Sequence, residues 1–136
     1  MKVICEHNLG ESLPQRLWNE AMGLTASTHF PITVGSAYVV YAMTLFLGDV
    51  WYYICDDDYS YFPVWYPASL FLVLDPRISA TWQYAYAAAD SSDEAMLLAF
   101  KEWATDRRYY ERLTDGNSDA VETFRKYKTF IDSELS

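Results

Sequence analysis

The sequence predicts an α+β fold: a small antiparallel barrel or curved sheet over about residues 32–86, packed with C-terminal helices. Three observations carry this. Between residues 36 and 86 the chain is dense in Val, Thr, Tyr, Phe and Trp, in short runs broken by Gly, Asp and Pro; these residues suit a pleated, half-buried surface. From residue 90 the composition shifts to helix formers with start and stop signals. The two richest β runs do not alternate cleanly between apolar and polar. Both of their faces therefore need cover, as in a closed barrel or a sheet overlaid by helices.

The elements follow in order. Residues 2–6 form a short apolar segment that reads as an edge strand. Residues 13–22 read as a short helix. Pro14 suits its first turn, Leu17, Ala21 and Leu24 recur at helical spacing, and Gly23 is its stop. Residues 36–47 and 50–55 are two strands, with Gly48-Asp49 as the hairpin between them, because glycine accepts the positive φ of a two-residue turn. Residues 70–74 make a third strand, closed by Asp75-Pro76. Residues 81–86 make a fourth, with Trp82, Tyr84 and Tyr86 on one face.

Beyond it, Ser91 with Glu94 matches a capping box, and Met96, Ala99, Phe100 and Trp103 line one face of a helix. Thr114-Asp115-Gly116 breaks that helix. Asn117-Ser118-Asp119 opens the last one, with Ala120, Phe124, Tyr127 and Ile131 inward. The reading is one domain over residues 1–136: an N-terminal strand and short helix (1–31), the antiparallel β region (32–86) and two helices (90–136).

Half of the chain is hydrophobic and 18% is aromatic, which excludes disorder. The formal charge of -9 would repel a phosphate backbone, so the expectation is no nucleic acid and, if anything, a basic protein partner. The excess is uneven: through Asp75 there are eight acidic residues against two basic, and eleven against eight afterwards. That favours a localised negative field. Two cysteines, Cys5 and Cys55, read as buried thiols in a reducing compartment rather than a needed staple. No secretory pattern opens the chain, and the longest uncharged apolar run, residues 37–47, is far short of the roughly 20 residues a membrane helix needs. The expectation is a cytoplasmic protein without a membrane contact.

Catalytic and metal signals are weak. Cys5, Glu6, His7, His29 and Cys55 supply ligand types, but their spacing fits no structural zinc pattern. Cys5 and His7 sit two apart, a spacing open to a nucleophile and its base. No glycine-rich phosphate loop and no nucleophile elbow is present. The calcium-loop template is unmet, since Ser60 and Tyr61 hold its fifth and sixth positions. The run Arg107-Arg108-Tyr109-Tyr110-Glu111-Arg112 reads as a solvated helix end. The expectation is a protein that is not an enzyme and takes no cofactor.

The strongest feature is residues 50–67, where an aromatic run ends in Asp56, Asp57 and Asp58 and a second aromatic and proline cluster follows. Three adjacent carboxylates repel one another and belong where water or a partner reaches them. Neighbouring rings add contact area at low entropic cost. Asp56, Asp57, Asp58, Tyr59, Tyr61 and Trp65 are therefore the candidate partner-binding residues. Two other readings compete: a metal-assisted hydrolase using Asp56 and Asp58, the pair that converges on one side of an extended segment, and a homo-oligomer that pairs the aromatic surface with its own copy.

In order and style, residues 34–43, the Gly48-Asp49 hairpin, the run from Trp51 to Asp58 and the run from Trp65 to Phe71 resemble an SH3-like small barrel. With the acidity and size, the chain resembles the immunity proteins of bacterial polymorphic-toxin and contact-dependent inhibition systems. The resemblance covers roughly residues 32–86. It implies a small cytoplasmic protein that neutralises a cognate toxin domain by occluding its basic site. Pro-rich ligand binding is not implied, because the ordinary SH3 pattern for it is not matched.

Overall fold

The computed structural model describes residues 1–86 and 94–135. Its centre is the hairpin of β2 (Ala37–Phe46) and β3 (Asp49–Ile54). Phe46 opposes Asp49, so the two-residue turn is Leu47-Gly48, one position earlier than the Gly48-Asp49 pair suggested. Both turn residues carry positive φ, 51° and 78°. That geometry matches the right-handed twist of the flanking strands. Gly48 adopts it freely, whereas Leu47 does so against its Cβ.

β4 (Val64–Pro67) extends the sheet beyond β3. On its other side β2 is shared. Its first half pairs with β1 (Lys2–Cys5) and its second half with β7 (Glu94–Phe100). β5 (Phe71–Asp75) then adds to β1, and β6 (Trp82–Tyr86) adds to β7. Every pairing is antiparallel. The β2–β3 register shifts between Val40 and Ala42, where β2 passes from one neighbour to the other. The seven strands among the described residues therefore make an open, forked sheet, and of the two expected forms it is the curved sheet, not the closed barrel.

Several elements depart from expectation. β1 lies between β2 and β5, so it is interior rather than an edge. The helix expected over residues 13–22 is replaced by three separate 3-10 turns, at Gly10–Ser12, Gln15–Leu17 and Glu20–Met22; Gly23 closes the last of them. The turns are held by cross-links that a continuous helix would not allow. The Trp18 indole donates to the Gly10 carbonyl at 3.0 Å, and Asn19 bridges to Leu24. Gly10 lies so close to the Thr25 carbonyl that a Cβ there would come within 1.8 Å.

The largest difference is β7. Met96, Ala99 and Phe100 have helical spacing, yet they belong to a strand, because the second half of β2 offers an open ladder to a short apolar run. Only from Lys101 does the chain turn helical. Ser91 lies outside the described residues.

Both faces of the central strands are covered. On one face Leu13, Leu17, Leu24, Phe30 and Ile32 of the N-terminal turns and loop pack against Val3, Cys5, Val40, Tyr52, Ile54 and Tyr66. On the other, α1 (Lys101–Thr105), α2 (Tyr109–Thr114) and α3 (Ser118–Glu134) press Trp103, Tyr109, Leu113, Phe124 and Ile131 onto Tyr41 and Tyr53. Tyr52 and Tyr53 fall in different layers because successive strand residues point to opposite faces. This double cover is the physical reason that neither central strand alternates. α3 starts as its sequence predicts: the Asn117 side chain accepts from the Ala120 amide at 3.0 Å. Tyr109 is fully buried and its hydroxyl donates to the Ala120 carbonyl, so the run at 107–112 is a helix start rooted in the core rather than a solvated end. Among the described residues no helix is long and apolar enough to cross a membrane.

Candidate functional site

The loop between β3 and β4 holds the acidic and aromatic cluster. Asp56 is buried, only 9% exposed, contrary to the expectation that all three carboxylates face water. One of its oxygens accepts from the amides of Asp58 and Tyr59, both at 2.9 Å, and the other accepts from the Tyr66 hydroxyl. A buried carboxylate is tolerated when its lone pairs are filled by donors. Burial, and then this bond to Asp56, raise the Tyr66 phenol above its ordinary value. Asp56 is thus the internal anchor of the loop.

Asp57 is exposed but braced. Its oxygens accept from the hydroxyls of Thr33 and Tyr38, each at 2.7 Å, while its amide donates to the Pro31 carbonyl at 2.9 Å. At the far end of the loop, Tyr110 of α2 donates to the Pro63 carbonyl at 2.6 Å. Asp57, Asp58, Tyr59, Ser60 and Tyr61 form five consecutive exposed residues between these anchors. Tyr59 and Tyr61 are 42% and 49% exposed. Their rings gather on Phe62: Tyr59 stacks on it at 4.8 Å and Tyr61 meets it edge-on at 4.7 Å. The rings are therefore held as a group rather than free to sweep through solvent.

Trp65 does not belong to this surface. It points to the opposite side of β4 from Tyr66 and packs against Phe46 at 4.7 Å, Trp51 at 4.8 Å and Tyr53 at 5.9 Å. Of the six candidate residues, the structure brings Asp57, Asp58, Tyr59 and Tyr61 together on the outside. It assigns Asp56 to support and Trp65 to a half-buried position packed against the core.

The flank of the loop carries two ion-paired cations. Ser60 and Tyr61 face Val121, Phe124, Arg125 and Lys128 of α3 across a groove of about 170 Å³. Both cations are bonded to carboxylates of their own helix, Arg125 to Glu122 at 2.9 Å and Lys128 to Asp132 at 2.8 Å. The surface thus grades from the acids at Asp57 and Asp58, through the rings, to an ion-paired helix face. Sequence reasoning missed Phe62 and this helix face. The spacing of residues 121, 124, 125 and 128 places them on one side of a helix, but nothing local in the sequence says which loop that side meets.

The Cys5 thiol is buried and donates to the His7 main-chain carbonyl at 3.4 Å, while the His7 imidazole lies 3.6 Å from Glu6. Cys55, a free thiol like Cys5, is pushed up to about 12 by burial. Asp56, one of the two carboxylates a metal-assisted hydrolase would need, has both oxygens engaged by the chain's own donors. Among the described residues no group of three or more His, Cys, Asp or Glu is gathered for a metal. No known family model matches the chain, and no curated protein or solved structure does.

Proposed function

We propose that this protein is a non-enzymatic binding module that presents residues 57–61 to a basic protein partner, in the manner of an immunity protein occluding the cationic site of a cognate toxin domain. The observation that supports this is the bracing of the loop: Asp56 and Asp57 are fixed by the hydroxyls of Thr33, Tyr38 and Tyr66 and by two amides of the loop itself. A rigid acidic and aromatic surface loses little entropy on binding, so more of its contact energy is kept as affinity. In this reading Asp57 and Asp58 meet the partner's cations, while Tyr59 and Tyr61 exclude water around them.

The test uses a toxin domain encoded beside this protein's gene, with association followed by stopped flow over a range of salt concentrations. The double variant Asp57→Asn/Asp58→Asn is expected to associate roughly tenfold more slowly at low salt and to show a shallower salt dependence. Identical rates and slopes for parent and variant would remove the loop as the recognition surface.

A further inference from the structure

β5 ends one arm of the sheet, and among the described residues it pairs with β1 alone. Its outer edge therefore carries N–H and C=O groups without a ladder partner. Leu72, Val73 and Leu74 are 56%, 49% and 56% exposed, so apolar side chains stand in water on both faces of the strand. Ile78, just beyond the Asp75-Pro76 stop, is exposed as well. Soluble proteins usually protect such an edge with charge or proline. Residues 68–74 hold neither, and the irregularity in the β1–β5 register falls at Leu74, leaving Phe71 to Val73 regular.

We propose that this edge is a dimerisation strand, paired antiparallel with β5 of a second copy about a two-fold axis at Val73. The segment Leu72-Val73-Leu74 reads the same in both directions. A two-fold axis through its centre sets Val73 against Val73, and each Leu72 against Leu74 of the other copy, so the three central cross-strand pairs are apolar on apolar, with Phe71 opposite Asp75 at either end. Charge argues for the same occupant. Two chains of net charge -9 approach with least repulsion where carboxylates are few and paired, and the one carboxylate of this strand, Asp75, is held by Arg77 at 2.7 Å. A cationic partner gains nothing here. The ladder would run continuously from one sheet into the other, and the loop at residues 57–61 lies outside the paired strand.

Sedimentation velocity of the full chain over a wide concentration range tests this. The parent is expected to shift from monomer to dimer mass, with a melting temperature that rises with concentration. Val73→Lys puts two like charges face to face on the axis. It is expected to stay monomeric where the parent is dimeric, with an unchanged far-UV spectrum. Val73→Cys is expected to give a disulfide-linked dimer on oxidation that the parent does not form, and it decides the matter if the lysine variant fails to fold. A parent that is monomeric throughout, a lysine variant that still dimerises, or a cysteine variant that does not cross-link would each overturn the proposal. An edge that captures a strand of a different protein would appear as the first of these outcomes.

Discussion

At the scale of single residues, three adjacent aspartates of identical chemistry hold three different positions. Asp56 is inside, Asp57 is outside but tied down, and Asp58 projects from the exposed run. Their substitutions should separate accordingly. Asp56→Ala removes the acceptor of two amides and of a buried hydroxyl, and is expected to cost about 2–3 kcal/mol. Asp58→Asn is expected to leave stability within about 0.5 kcal/mol of the parent, as surface changes away from special features do. Urea denaturation of the two variants measures the contrast; equal losses would mean that Asp56 does not anchor the loop. Tyr66→Phe belongs with Asp56, since it leaves a buried carboxylate oxygen short of a donor, and should cost about 1–2 kcal/mol by the same measurement. Local composition announces acid and rings at this site. It does not announce that Tyr66, ten residues on, converts the first acid into scaffold, or that Trp65 beside it faces the other way.

At the scale of elements, the parts written in neighbouring residues are legible and the parts decided by distant ones are not. The β2–β3 hairpin and the Asn117 cap depend on contacts a few residues apart, and both form, the hairpin with its turn one residue earlier than expected. β7 depends on an open edge of β2, some 50 residues earlier in the chain, so its apolar run reads equally well as a buried helix. The N-terminal 3-10 turns follow the contour of the sheet face beneath them, which no local periodicity encodes. The hairpin also carries a flaw that can be corrected. Leu47 sits at φ 51° beside Gly48 at φ 78°, a pair of conformations that Asn-Gly adopts with ease. Leu47→Asn is expected to stabilise the protein by roughly 0.5–1 kcal/mol, and Gly48→Ala to destabilise it by about 1 kcal/mol. Thermal melts of the two should move in opposite directions, and a Leu47→Asn variant that melts lower would show that the side chain's packing outweighs its backbone conformation.

At the scale of the whole molecule, the many buried phenols set how stability responds to pH. Burial raises Tyr41, Tyr66, Tyr109 and Tyr110 above their ordinary value of 10.0, and lifts the Cys55 thiol from 9.0 to about 12. In each case the folded state holds its proton more firmly than the unfolded chain. The associated stability is fully present below the unfolded values, near 9 to 10, and is lost as pH climbs through the folded ones. The urea midpoint should therefore be flat in the neutral range and fall steadily in the alkaline range, with phenolate absorbance rising in the same cooperative step as the loss of structure. Phenolate absorbance that rises well before unfolding would show these hydroxyls to be in contact with water. The charge distribution acts at this scale too: an excess of acid in the first half of the chain sets the long-range field, while the paired cations of α3 keep one flank of the loop near neutral.

The shared strand at the centre of the sheet has a consequence for how the chain assembles. β1 precedes β2 in the sequence and β7 follows it by some 50 residues, and both add to the same edge of β2. The β2–β3 hairpin closes over a two-residue turn, so its loop entropy is small and it can nucleate early, with both outer arms condensing onto it afterwards. Replacing Val50 by Ala in the hairpin should therefore slow refolding, whereas replacing Phe124 by Leu in α3 should mainly quicken unfolding. During synthesis that template leaves the ribosome well before β7, and for that interval the second half of the β2 edge stands open.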